Sequence, residues 1–303
     1  VTTTPKISGF TIVRNGVKFD YPFMESLRSL LPLVDELVIV VGKGEDETLQ
    51  KIQALASESN KLKIFESIWD PKVQKEGLIL SQQTNIALSH CRGDWGIYLQ
   101  ADEVLHEEDY AKIKQAIVDA HAQENVDGLL FDYVHFYGDF FVVNRSPSAY
   151  RHEIRAVRLN RNVVSWKDAQ GFRRQLPHDD HEHFEKLRVL KTSARIFHYG
   201  WVRPPEVMKQ KTVAMDRLYH GDGAGTGENY RYKRIYGLER FTGSHPAVMA
   251  KRVEEKRWKV DLMAAPLVWE WKDARKVVNR TIEKLTGWLP FQYRNYVVVD
   301  RGK

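Results

Sequence analysis

The chain is short of the features that mark disulfide-stapled and membrane-spanning proteins. Among its 303 residues there is one cysteine, Cys91. A single thiol excludes an intramolecular disulfide and a cysteine-based zinc site. The longest unbroken aliphatic run is 37–41 (LVIVV), far below the ~20 apolar residues of a membrane-crossing helix. The opening VTTTP has no basic patch and no apolar stretch, so it does not read as a secretory leader. These shortages point to a cytoplasmic protein. Internal repeats and low-complexity tracts are also missing. What is present is an ordinary globular mixture, 43% hydrophobic and 28% charged, which excludes collagen-like and wholly disordered classes. The length allows two domains, or one large one, with a core that needs no staples.

Charge is unevenly spread. Residues 201–303 hold 21 Lys/Arg against 12 Asp/Glu, whereas residues 1–200 hold 25 against 28. A basic C-terminal third implies either an anionic partner on that side or a solvated basic surface.

The first ~120 residues alternate strand-like and helix-like patterns. Residues 7–14 (ISGFTIVR), 36–41 (ELVIVV), 63–68 and 95–100 (WGIYLQ) read as buried strands. Helical spacing follows each of them: Phe23, Leu27, Leu30 and Val34 after Pro22, then Leu49, Ile52 and Leu55, then 76–90, then Tyr110, Ile113 and Ile117. Four strand–helix units predict a mostly parallel sheet with helices on both faces. Beyond Asp127 the pattern changes. Segments 128–137, 140–144, 155–160 and 195–201 read as strands, 163–187 as loop-rich, and 221–229 (GDGAGTGEN) as a flexible loop. A helix follows Pro204-Pro205, and the remainder reads as helical.

Ligands of parallel α/β sheets bind beyond the carboxyl ends of the strands. Those ends carry Arg14-Asn15, then Gly42-Lys43-Gly44-Glu45-Asp46, then Trp69-Asp70, then Gln100-Ala101-Asp102-Glu103. A cation, a glycine-rich turn and several carboxylates on one edge suit a phosphorylated ligand with a divalent metal, and a hard oxygen ligand such as Asp102 suits Mg²⁺ or Mn²⁺.

The succession ELVIVV, QQTNIAL and GDWGIYLQADEVLHEED resembles the inverting family 2 glycosyltransferases of GT-A fold. The likeness covers about residues 7–200 and is strongest over 82–109, where LQADE matches an LDADE form of the Asp-x-Asp motif. It implies a GT-A, Rossmann-like domain over 1–200 and a helical, Trp-rich region over 201–303. The implied reaction is metal-dependent transfer of a sugar from a nucleotide diphosphate sugar, UDP-linked by first expectation, to a saccharide or lipid-linked acceptor. Asp102 takes the metal-binding position, and His198 in RIFHYGW resembles the late histidine that completes the metal shell. Gln100 stands where the motif has its first Asp and cannot supply a second negative charge. Val41-Gly42-Lys43-Gly44 replaces the usual Asp-Asp-Gly-Ser, which moves base recognition to Gly42, Lys43, Glu45 or the backbone. Arg14, Asn15 and Ala101 border the nucleotide, and Gln83 and Asn85 face nucleotide or sugar. Acceptor-side bases are Glu153, Asp168, Asp179 and Asp180, with Asp168 favoured. The run 178–183 (HDDHEH) reads as an acceptor loop, with an independent zinc site as the other reading. Two further readings remain for the whole chain: a non-catalytic nucleotide-binding module, favoured by Gln100, and a nucleotidyltransferase, opposed by the poor glycine content after the first strand.

Five of the eight Trp lie after residue 200. Between Asp273 and Trp288, Val277, Val278, Ile282 and Leu285 form an apolar stripe among Arg275, Lys276, Arg280 and Lys284. Such a helix either packs on the rest of the protein or lies on an anionic membrane surface. No nucleic-acid-binding motif accompanies the charge.

Overall fold

The computed structural model describes residues 4–70, 73, 76–176, 183–220, 230–287, 290 and 293–299. Strands β1 (Ile7–Val13), β2 (Glu36–Gly42), β3 (Leu62–Ser67) and β4 (Trp95–Tyr98) run parallel in the order β3-β2-β1-β4. Helices α1 (Phe23–Leu30), α2 (Thr48–Ala56) and α3 (Leu78–Ser89) make the crossovers. Because successive strand residues point to opposite faces, the apolar runs divide. Leu37, Ile39 and Val41 pack with Leu27 of α1, Ile52 of α2 and Ile113 and Ile117 of α4 (Tyr110–His121). Val38, Val40, Phe10 and Ile12 face Ala87 of α3 on the other side. Both faces are therefore covered, as a continuous Val/Ile run in a parallel sheet requires.

The sheet continues past β4 as a mixed one. After β5 (Glu103–Leu105) and α4 come β6 (Gly128–Tyr137), β7 (Asp139–Asn144), β8 (His152–Arg158), β9 (Val163–Trp166), β10 (Gly171–Leu176) and the 19-residue β11 (His183–Trp201). The order runs on as β4-β8-β6-β11-β10-β9, with β6 parallel to β11 and β8 antiparallel to both its neighbours. The described residues of 163–187 are thus not loop-rich. The stretch holds a hairpin, β9–β10, and the start of β11. Its strand signal is hidden because charged residues occupy the solvent face: Phe172, Leu187 and Val189 are buried, while Lys186 and Arg188 between them are not.

The C-terminal third is less helical than its sequence suggests. It contains α5 (Pro205–His220), α6 (Ala250–Glu254) and α7 (Asp273–Thr286), but also β12 (Leu238–Arg240) on β7 and β13 (Tyr296–Val298) on β11. Helix α7 is docked by its polar side. Arg151 holds Glu283 through two bonds of 2.8 and 3.0 Å, Arg280 pairs with Glu239, and Asn279 is buried. Arg280, expected around the apolar stripe, therefore faces inward into an ion pair with Glu239, while Lys276 pairs with Asp273 of its own helix. Val278 and Leu285 point out, 57% and 80% exposed.

One buried ion pair fixes the turn after β4. Glu103 and Arg155 are both fully buried and joined by two 2.8 Å bonds. Tyr133 Oη donates to Glu103 Oε1 at 2.7 Å, and the Gln100 amide donates to Oε2 at 3.1 Å. The carboxylate that follows Asp102 is thus spent on holding the motif's backbone. Removing one partner of such a pair strands a buried charge, which costs about 3–5 kcal/mol. Arg155→Ala is expected to lower unfolding stability by that amount in urea titration; a change below ~1 kcal/mol would show that the pair is not an anchor.

Candidate active site

The carboxyl ends of β1 and β4 and the loops after β2 and β3 open on a cavity of about 370 Å³. Arg14 and Asn15 come from the end of β1, Glu45 from the loop after β2, Trp69 from the loop after β3, and Gln100, Ala101 and Asp102 from the turn after β4. Helix α5 closes the opposite side with Lys211, Met215, Arg217 and Leu218. Its lining holds four cations, Arg14, Lys18, Lys211 and Arg217, against two carboxylates, Glu45 and Asp102. A cavity with that surplus concentrates anions.

At its floor, Asp102 Oδ2 accepts from Lys211 Nζ at 3.2 Å, and His198 Nε2 lies 3.8 Å from Asp102 Oδ1. Burial alone would push the Asp102 carboxyl up, but Lys211, His198 and Arg203 outweigh it and hold the group well below the usual carboxylate range. Burial, reinforced by Arg203, lowers the Lys211 amine to about 8. Burial also lowers both His198 and His135 below the ordinary imidazole value, His198 against the raising pull of Asp102 and Glu103.

The hydrogen bonds then fix the tautomers. His135 Nε2 must donate to the carbonyl of Tyr150 at 2.8 Å, because a carbonyl only accepts. Its Nδ1 accepts from His198 Nδ1 at 2.9 Å. In the neutral form of His198, Nε2 then carries a lone pair on the Asp102 side. This is the arrangement in which an outer hydrogen bond orients a metal-ligating imidazole.

The residues fit a divalent cation. A Cβ built on Gly200 would fall 2.5 Å from His198 Nε2 and 3.1 Å from Asp102 Oδ2. The missing side chain leaves a gap bordered by one carboxylate oxygen and the imidazole Nε2. No group of three metal-ligating side chains occurs among the described residues. Two protein ligands leave room for water and phosphate oxygens, as Mg²⁺ sites often do.

The other expected residues are distributed as follows. Arg14 lies over the Trp69 ring at 5.3 Å and donates to Lys43 O. Asn15, at φ 53°, accepts from the Glu45 amide at 2.9 Å and so ties the ends of β1 and β2 together. Gly42 makes room for Trp69: a Cβ there would lie 2.3 Å from the indole nitrogen. Gln83 is buried and accepts from Ser67, and Asn85 bonds the backbone of Ser165 in both directions; neither lines the cavity. Gln100 reaches Ala169 O at 3.4 Å. Asp168 sits in the β9–β10 turn between Lys167 and Ala169, both at positive φ (53° and 59°), and accepts from Tyr219 Oη at 3.0 Å. Ala169 lines the cavity beside it. Asp179 and Asp180, with the rest of 178–182, lie outside the described residues, as does 221–229.

Sequence reasoning passed over Lys211, Arg217 and the gap at Gly200. The basic surplus of the C-terminal third was a signal for the first two. Nothing local marks which of its cations folds back over the sheet.

The profile of Glycosyl transferase family 2 matches residues 13–179, more than half of the chain, and the chain belongs to that family. Its α/β architecture is that of the GT-A fold. No curated protein matches the chain. Among solved structures it is similar to TarS of S. aureus, at 16% identity over 70% of this chain and 39% of that one, with a TM-score of 0.40. A second is TarS 1–349 in complex with UDP, at 16% over 70% and 64%, TM-score 0.38. A third is the mannosyltransferase PcManGT from Pyrobaculum calidifontis in complex with GDP-Man and Mn²⁺, at 19% over 45% and 37%, TM-score 0.34. The chain spans less than two thirds of the length of each.

Glu153, the other described candidate base, is, like Asp168, not among the residues lining the cavity. It is buried, and its Oε2 has no hydrogen-bond partner. Burial raises its carboxyl to about 7, against the lowering pull of Arg155. A raised carboxylate pKa means that the folded state holds the proton more tightly, so stability falls as pH climbs from about 4.5 to 7. Glu153→Gln is expected to stabilise the protein by roughly 2–3 kcal/mol at pH 8 and to leave it unchanged below pH 4.5, read by chemical denaturation. An equal effect at both pH values would refute the assignment.

Proposed function

We propose that the chain transfers a sugar from a nucleotide diphosphate sugar to a hydroxyl acceptor with inversion at the anomeric carbon. The observation that carries this reading is the meeting of Asp102 and Lys211, with His198 3.8 Å from Asp102, at a cation-rich cavity at the carboxyl ends of the parallel strands. The departing nucleoside diphosphate needs its developing charge stabilised. Lys211 and Arg217 stand on one side of the cavity for that purpose, and Arg14 with Trp69 forms a platform for the nucleoside on the other. Asp102 and His198 would hold Mn²⁺ or Mg²⁺, which when bound supplies Lewis-acid stabilisation of the leaving diphosphate. UDP-sugars are the first donors to try, and a saccharide or lipid-linked hydroxyl is the acceptor.

Inversion by single displacement needs a base on the acceptor side. Asp168 takes that role. It stands next to the cavity wall on a turn with two left-handed non-glycine residues, a backbone cost of order 1–3 kcal/mol each that clusters at functional sites. Tyr219 orients one oxygen and leaves the other for the acceptor hydroxyl. Asp168→Asn is expected to lower turnover by ~10²–10⁴-fold while UDP or GDP binding, measured calorimetrically with Mn²⁺, stays within about 2-fold. NMR of the product reads the anomeric centre, and a retained configuration overturns the mechanism. Nucleotide binding without any transfer across a donor and acceptor screen would favour the non-catalytic reading.

We further propose that α7 rests on an anionic lipid surface. Asn279, Arg280 and Glu283 engage the protein, while Val278 and Leu285 are exposed together with Trp271, which is 90% exposed, and Val277 and Ile282 are half-buried. No described helix is long and apolar enough to cross a membrane. A surface-lying helix needs only an apolar face with basic residues beside it, and the basic surplus of this third matches anionic lipid. Pelleting with phosphatidylglycerol vesicles at low salt, falling as salt rises and lost in Val278→Asp/Leu285→Asp, is the expected outcome. Absence of pelleting at low ionic strength overturns the proposal.

A further inference from the structure

We infer that Lys211 is a built-in counter-ion that fills the cation locus until a nucleoside diphosphate draws it away, so that divalent cation and donor load together. The inference rests on the reading of Asp102 and His198 as the cation cradle.

Among the described residues, Asp102 is the one carboxylate at that locus. Gln100 is neutral, and Glu103 is committed to Arg155. His198 Nε2 lies 3.8 Å from Asp102 Oδ1, and the positive charge set beside this carboxylate is Lys211. Its ammonium donates to Asp102 Oδ2, which borders the gap at Gly200, at 3.2 Å, and to Gly200 O at 2.7 Å. The ammonium also lies 5.0 Å from the centre of the Tyr21 ring, and Arg203, fully buried, adds positive potential behind it.

A divalent cation entering this gap with Lys211 in place would meet an ammonium within a few ångströms and only one negative charge. Coulomb repulsion in a partly buried site is strong at that range. A nucleoside diphosphate changes the balance. It brings several negative charges into the same cavity and gives Lys211 a second anionic partner. Released from Asp102, the ammonium turns to the diphosphate, and the cradle is open to the metal. By thermodynamic linkage each ligand then tightens the other by the same factor.

The test measures Mn²⁺ alone by electron paramagnetic resonance of the free ion. The wild-type chain is expected to bind Mn²⁺ weakly. Lys211→Met keeps the apolar stem against Tyr21 and removes the charge; it is expected to bind Mn²⁺ at least about 10-fold more tightly. Adding Asp102→Asn to Lys211→Met is expected to abolish the gain, which places the ion at this locus. Lys211→Gln serves as a second charge-free variant. Equal Mn²⁺ affinity in the wild type and in both charge-free variants overturns the counter-ion. A separate arm titrates UDP and GDP into the wild type with Mn²⁺ present. Failure of both to bind overturns the donor-site reading instead, and the comparison with Mn²⁺ alone still decides the role of Lys211.

Discussion

The site depends on the buried pair between Glu103 and Arg155. A turn that must present a carboxylate to a ligand has to be rigid, yet turns have few backbone partners of their own. Here the residue after Asp102 points the opposite way, into the core. Its two oxygens receive Arg155, Tyr133 and the Gln100 amide. Arg155 belongs to β8, the antiparallel neighbour of β4, so the turn is clamped to the next strand. Ser26 adds a bond to the Gln100 carbonyl from α1, and the Tyr199 amide binds the Asp102 carbonyl from β11. Three elements distant in sequence therefore set the position of one carboxylate.

That arrangement divides labour among adjacent acidic residues. Asp102 keeps an oxygen at the cavity while Glu103 vanishes into the interior, and Gln100 contributes an amide rather than a charge. The missing charge has a physical consequence. With Asp102 alone facing Lys211 and a neighbouring Arg203, the floor of the cavity is net positive before any ligand arrives, which suits a diphosphate better than a bare metal ion.

Much of this was legible in the residues themselves. The parallel half of the sheet followed from the apolar runs at 7–13 and 36–41, because two-faced burial forces such runs to be nearly continuous. The strand ends Arg14, Asn15, Glu45, Gln100 and Asp102 do gather around one cavity, since topology alone brings carboxyl ends to one edge. Gln83 and Asn85 do not line it. A helix face gives no indication of which polar residue is needed to satisfy neighbouring backbone, and Asn85 holds Ser165. The first half of β11 was hidden because Lys and Arg fill its solvent face, and β10 because Arg173, although buried, and Arg174, paired with buried Asp127, interrupt its apolar pattern. The α7 stripe was legible as amphipathic but not as inverted: its inward side is fixed by ion pairs with Arg151 and Glu239, which lie more than 40 residues away in the chain.

Strand β11 also bears on how this chain tolerates change. It carries His198 and Gly200 at one end and pairs with β10 and β13 at the other. Alternate residues face opposite sides, so a single inserted residue between Ile196 and His198 would turn the imidazole away from Asp102 and bring a neighbour in its place. Its pairing with β6 already slips between Lys191 and Arg195, where an irregular step can absorb an extra residue without rotating the remainder of the strand. Length variation among related chains should therefore collect at that step and be absent from the few residues beyond it, which makes the spacing from the slip to the histidine a more durable mark of this site than the identity of the residues between.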